Sequence, residues 1–493
     1  MPVSALPSPY GIGTLGQEAR AFVDFLARAG QRWWQILPVG PTGYGDSPYQ
    51  SFSAYAGNPY LIDLQTLIES GLLTREEVDA VFWGDDPARV DYAALFAGRF
   101  DLLELAKARA WEREQPKICE FYETNRRWLA DYALFMAAKR HFGGIMWTQW
   151  PDEAIRLHKQ EAVEHYRDLL RPDVELFVFI QYLFFTQWEA LRSYAAAKGV
   201  GIIGDLPIYV SMDSSDVWAE PEYFLLDADR RPEWVAGVPP DAFCAGGQLW
   251  GNPLYDWDYL KTRGYDWWLR RIEGASRLYD VLRIDHFRGL ESFWAVPFGD
   301  QDAMGGHWVK GPGMDLVGLI QRTFPQLAII AEDLGYLTDD VRKLLEDSGL
   351  PGMKVLQFAF DSREPGNYLP HTYTENSTCY TGTHDNPPLK GWIEDAAPAD
   401  VAAARAYLGI KEQDDLSWAM LKAGYESRSD LFVAQMQDYL GLGMEARMNA
   451  PGTLGGNWLW RMTPGAIPAS LAPRLAAETA ASHRAQPLEH QAW

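Results

Sequence analysis

The sequence predicts an α/β protein, a (β/α)8 TIM barrel with helical and loop insertions, on three observations. Short apolar runs ending in Gly or a polar group recur at residues 32–40, 199–210, 279–287, 327–335, 353–360 and 377–385. Each has the length and composition of a strand buried on both faces. Helical stretches separate the runs, as in parallel βαβ units. Four of the runs close on an acidic residue, and active sites of barrels are built at the C-terminal ends of their strands.

The elements follow in chain order. A helix over residues 14–29 opens with a T-x-x-Q capping box at Thr14 and Gln17, buries Ala19, Phe22, Val23 and Leu26, and stops at Gly30. Residues about 66–170 carry helical patterns and no strand, so they read as a helical insertion. The run VELFVFIQYLFFT (174–186) is too short to span a bilayer and continues to Gly199 as a buried helix. Residues about 212–275, rich in Pro, Gly, Trp and Tyr, read as structured loops. A crossover helix between the runs at 327 and 353 is capped by Thr338, with Asp339 and Asp340 in its first turn and Val341, Leu344 and Leu345 as its buried stripe. Residues about 391–440 form a second helical insertion. The whole span 1–493 reads as one barrel chain carrying these three insertions.

Composition excludes several functions. With 44 basic and 67 acidic residues the net charge is -23, which argues against nucleic acid or an anionic membrane as partner and favours a neutral substrate. Cys119, Cys244 and Cys379 form no CxxC or metal-ligand spacing and read as buried, reduced thiols. The N-terminus has no basic region followed by an apolar one, so a cytoplasmic location is expected. His286 and His384 each adjoin an Asp, but no ligand spacing accompanies them, so neither metal nor cofactor is expected.

The chemistry lies with Asp205 in IIGDLP, Asp285 in LRIDHF, Glu332 in IIAEDLG and Asp385 in TGTHDN. A carboxylate closing an apolar run is costly unless it is paired or used. The spacing from 285 to 332 places Asp285 and Glu332 on neighbouring strands, with Asp385 two strands further round. Neighbouring strands lie ~4.8 Å apart, compatible with the ~5–5.5 Å carboxyl separation of a retaining glycosidase pair. One carboxyl would then be an ionised nucleophile and the other a protonated acid. Arg283, on the strand face of Asp285, is placed to hold Asp285 ionised. His286 reads as core or support, and His384 as a partner for a substrate hydroxyl. The chain holds 21 Trp, 24 Tyr and 22 Phe. Trp33, Trp34, Trp188 and Trp268 read as core. The aromatics of the Gly/Pro-rich stretches 44–60, 247–257 and 452–462 offer flat faces beside polar groups, which suits a pyranose.

An ordered set of segments carries a family resemblance: ALPSPYGIGTLG, ILPVGPTGYGDSPYQSFSAYAGNPYLIDL, QYLFFTQW, GDLPIYVSMDSSDVW, GQLWGNPLYDW, LRIDHFRG, IIAEDLG, GTHDN and MNAPGTLGGNWLWR. Through them the chain resembles the 4-α-glucanotransferases (amylomaltases) of glycoside hydrolase family 77, in the α-amylase clan. The resemblance implies Asp285 as nucleophile, Glu332 as general acid/base and Asp385 as the third carboxylate, steadying the oxocarbenium-like transition state. It implies that Tyr49, Asp205, Arg283 and His384 line the −1 subsite, and that Gln248 and Trp250 belong to a loop over the acceptor side. Donor and acceptor would be α-1,4-glucans such as maltodextrins, or glucose, with no cofactor. An α-glucan hydrolase is the alternative. A catalytically dead sugar-binding barrel would have lost one of the three carboxylates, and all three are present. Two departures stand out: the chain begins almost inside the first motif, which in the family usually follows a short strand, and Pro387-Pro388 replaces a common Asp-Thr.

Overall fold

A computed structural model describes residues 1–485 apart from 44, 241–243, 336, 362–367 and 454, so Tyr44 and Leu454 of the aromatic stretches lie outside the described residues. The strands in chain order are β1 (Trp33–Gln35), β2 (Gly201–Leu206), β3 (Trp234–Val238), β4 (Gln248–Pro253), β5 (Val281–Ile284), β6 (Ser292–Pro297), β7 (His307–Lys310), β8 (Ala328–Ala331), β9 (Gly352–Val355), β10 (Ser377–Tyr380) and β11 (Leu431–Val433). Seven of these pair in parallel as two arcs of a barrel wall, β1-β2-β5-β8 and β9-β10-β11. The arcs meet where Ala331 N donates to Pro351 O at 3.0 Å. No ladder among the described residues joins β11 to β1. Tyr380 instead donates its hydroxyl to Gln35 Oε1 at 2.9 Å, beside a cavity of about 70 Å³ lined in part by Gln35, Tyr380, Gln435, Arg283 and His384.

The wall forms where residues suit burial on both faces. Ile202 and Ile203 of β2 are fully buried, and Gly204 beside them leaves room for the Tyr279 ring, which stands 2.1 Å from where a Cβ would be. A side chain there would drive the ring off the strand. The apolar run at 174–186 lies within a helix, Arg171–Ala197, packed along the long helix Tyr92–His141. Each helix buries a stripe that neither could bury alone.

Several expectations need correction. The first helix is Gln17–Arg28, and its N-cap is Gly16 rather than Thr14. Thr14 is buried and donates to Asp63 Oδ1 at 2.8 Å, so its hydroxyl is committed elsewhere and no capping box forms. Thr338 does cap the helix Asp339–Ser348, accepting from Val341 N. Residues 212–275 are more than loops: they supply β3 and β4, which join β6 and β7 in an antiparallel sheet ordered β4-β3-β6-β7. The stretch 391–440 holds three helices, then β11, a wall strand too short to stand out by periodicity, and then the short helix Met436–Tyr439. The run 353–360 is strand only to Val355. Its remainder turns into a 3-10 helix that places Leu356, Ala359 and Phe360 in a second core. Cys379 is buried, Cys244 is half-buried and Cys119 is exposed on its helix. Trp34, Trp188 and Trp268 are core, while Trp33 is half-buried.

Candidate active site

Strand register assembles one half of the site. Asp205 on β2 is the direct partner of Arg283 on β5, and Arg283 Nη1 reaches both Asp205 oxygens at 2.6 and 2.7 Å. Because side chains alternate along a strand, Arg283 and Asp285 share a face, and the same Nη1 donates to Asp285 Oδ1 at 2.9 Å. β5 also pairs with β8, with Ile284 opposite Ala331. Asp285 and Glu332 are the next residues of these adjacent strands, so they are neighbours at the C-terminal rim.

Burial raises the pKa of both Asp285 and Glu332 above the ordinary carboxylate range, and the Arg283 guanidinium opposes the shift. Asp285 accepts a direct hydrogen bond from Arg283 and Glu332 accepts two backbone N–H groups, and each of these favours the charged form of its carboxyl. Glu332 is gripped by backbone, accepting from His286 N at 2.6 Å on Oε2 and from Leu334 N at 3.0 Å on Oε1. Beneath the rim, the buried Arg271 donates to the carbonyls of Pro207, Ile208 and Tyr209 and so fixes the chain leaving β2.

The other half is built by loops. Tyr49 donates its hydroxyl to Asp205 Oδ2 at 2.6 Å. With that proton committed, the Tyr49 oxygen accepts from His384 Nδ1 at 3.2 Å. The two rings stack with centroids 4.8 Å apart. Burial and the neighbouring carboxylates raise the Tyr49 pKa, so it remains a donor. His384 Nε2 lies 3.3 Å from Asp385 Oδ1. A continuous polar chain therefore runs Asp285–Arg283–Asp205–Tyr49–His384–Asp385.

Three partners of Asp385 and its loop were missed. Asn449 Nδ2 donates to Asp385 Oδ1 at 2.6 Å, Arg447 Nη2 donates to the Asp385 carbonyl at 2.6 Å, and Trp458 packs on both Tyr49 and His384. Asn449 and Trp458 lie in the segment MNAPGTLGGNWLWR and Arg447 just before it, but nothing in charge or spacing separated Asn449 and Arg447 from ordinary loop residues. The two prolines after Asp385 are structural: Pro387 O accepts from Gln357 Nε2 at 2.8 Å, and Pro388 begins the helix Leu389–Asp395.

Gln248 and Trp250 alternate on β4, and Trp250 Nε1 donates to Gln248 Oε1 at 3.1 Å. The Trp250 ring meets the His286 ring edge-on at 4.8 Å, which sets this hairpin beside the Asp285–Glu332 rim. Among the described residues no group of three or more His, Cys, Asp or Glu side chains is arranged to hold a metal ion, and no helix is long and apolar enough to cross a membrane.

Two carboxyls on adjacent strands of a parallel barrel wall, one bridged to an arginine and the other held by backbone, are the kind of arrangement that two-carboxylate carbohydrate-active enzymes require. The family model described as 4-alpha-glucanotransferase matches residues 1–467. The 4-alpha-glucanotransferase of Clostridium butyricum is 46% identical, covering 94% of this chain and 95% of its own length. That of Thermus thermophilus is 47% identical over 98% of this chain and 97% of its own. An amylomaltase from Streptococcus agalactiae, solved with acarbose, superposes with a TM-score of 0.95 at 42% identity, covering 98% of each chain. The chain belongs to the 4-α-glucanotransferases of glycoside hydrolase family 77. Its activity is accordingly transfer of glucan segments rather than hydrolysis.

Proposed function

We propose that this enzyme cuts α-1,4 bonds of maltodextrins by a retaining double displacement, with Asp285 as nucleophile and Glu332 as acid, then base. The observation that carries this reading is the β5–β8 register, which sets the two carboxyls side by side while only Asp285 is bonded to Arg283. Glu332 protonates the departing glycosidic oxygen as Asp285 attacks the anomeric carbon. Glu332 then takes the proton from the hydroxyl of an incoming sugar, maltodextrin or glucose, which displaces Asp285. Asp385 faces the ring and steadies the positive charge that develops there. Tyr49, Asp205, Arg283 and His384 line the −1 subsite, and Gln248 and Trp250 lie over the acceptor side. The chain acts as a single catalytic barrel with its three insertions. Three cysteines free of disulfides favour the cytoplasm, where starch- or glycogen-derived maltodextrins would be its substrates.

The test separates the two roles. With Asp285→Ala even a glucosyl fluoride is expected to be inert. With Glu332→Gln the fluoride, which needs little acid help to leave, is expected to glycosylate the enzyme. The trapped sugar then appears as a mass increment on the peptide containing Asp285. A sugar found on Glu332 or Asp385 overturns the assignment.

A further inference from the structure

His286 stands out because it is a bulky residue in the left-handed region at the active-site rim, with φ 53° and ψ 44°. Left-handed backbone costs a non-glycine residue about 1 kcal/mol or more and persists where surrounding contacts enforce it. Here those contacts converge on Glu332. His286 N donates to Glu332 Oε2, 2.6 Å away, and the left-handed turn swings the next amide, Phe287 N, onto the Glu332 carbonyl at 3.0 Å. Had the parallel ladder begun by Glu332 N on Ile284 O simply continued, His286 N would take the Glu332 carbonyl; with Phe287 N there instead, it is left for the carboxyl.

Two further contacts hold the turn. Gly289 leaves space for the imidazole, whose Cδ2 stands 2.8 Å from where a Cβ would be. On the other side the ring meets the edge of Trp250, itself fixed by its hydrogen bond to Gln248. Burial lowers the His286 pKa to about 3, so the ring is neutral and adds no charge beside the two carboxyls.

We infer that His286 is a positioning residue for Glu332: its left-handed backbone fixes the acid/base carboxyl, and the Gln248–Trp250 hairpin braces it in that turn. The inference rests on the reading of Glu332 as acid/base. It connects the acceptor-side hairpin to the proton-transfer group through a single residue, so loosening the hairpin weakens acid catalysis before it weakens attack by Asp285.

The test compares two donors, maltotriose, whose leaving oxygen needs a proton, and α-maltotriosyl fluoride, whose fluoride does not. His286→Val disfavours left-handed backbone, because a β-branched residue rarely adopts it, whereas His286→Asn tolerates it. The valine variant should lose ~100-fold in transfer from maltotriose, the size of a general-acid contribution, and less than ~10-fold in the burst of fluoride release. His286→Asn should recover maltotriose transfer to within ~10-fold of wild type, and Trp250→Ala should lose maltotriose transfer more than fluoride release. If the valine variant does not fold, the same ordering is read between His286→Ala and His286→Asn. Equal losses on both donors, or no recovery with asparagine, overturn the inference. Glu332→Gln is the control: if it shows no preference for the fluoride, the acid/base reading fails. If it shows that preference and the His286 variants do not, only the positioning role fails.

Discussion

On the β1-β2-β5-β8 arc the charged groups are placed by strand register, whereas on the β9-β10-β11 arc Asp385 lies five residues past the end of β10 and is placed by hydrogen bonds from residues 447–449. The environments differ accordingly. The side chains of Asp205 and Arg283 are 1% and 4% exposed, against 43% for Asp385. In the first arc, changing one partner strands a charge inside the wall. In the second, a changed partner is partly replaced by water. The proposed catalytic pair thus lies at the end of a register-built wall, while the third carboxylate sits on a wetter, loop-built side.

The largest effect expected from this contrast follows Arg283→Met. It leaves the buried Asp205 without its counter-charge and the partly exposed Asp285 without its hydrogen bond, and breaking a buried pair costs about 3–5 kcal/mol. Urea unfolding at neutral pH should show that loss together with loss of transfer activity. A change below about 1 kcal/mol would mean that the arc does not depend on the pair.

Next in size is a pH effect at a buried acid outside the site. Asp216 accepts from Ala54 N at 2.8 Å, and burial raises its pKa from 3.8 to about 6. A raised carboxyl stabilises the fold fully below its unfolded value, and that contribution is lost as pH rises through the folded value. Asp216→Asn keeps an acceptor for Ala54 and never charges. Its stability relative to wild type should therefore grow by roughly 2–3 kcal/mol between pH 4 and pH 8, read from denaturant midpoints. A difference independent of pH would show that burial does not perturb Asp216.

The smallest effect is at Asn449. Asn449→Ala should reduce kcat ~10- to 30-fold, about 1–2 kcal/mol, with KM and unfolding midpoint nearly unchanged, because Asp385 stays solvated but loses its anchor. A loss matching that of Arg283→Met would erase the distinction between register-held and loop-held carboxylates.

Much of the first arc was legible in the sequence. Asp205, Arg283, Asp285 and Glu332 close apolar runs, and a charge at the end of a doubly buried strand announces itself. The cap at Thr338 was equally legible, because it depends on residues three apart. Thr14 misled for the opposite reason: its capping pattern is local, but its hydroxyl partner, Asp63, is 49 residues away. The antiparallel sheet of β3, β4, β6 and β7 was hidden among turn-forming residues whose pairing is fixed by distant strands.

What the sequence determined by itself was the parallel α/β architecture and the placing of Asp205, Asp285 and Glu332 at strand ends, because strand burial and strand-end charge are properties of a few consecutive residues. The tertiary structure alone decided the rest. It gave Arg283 to both Asp205 and Asp285, gave Asp385 to Asn449, and turned His286 left-handed to face Glu332. Each of these depends on a partner brought near by folding or on a backbone conformation that its own residue type disfavours, and local pattern encodes neither.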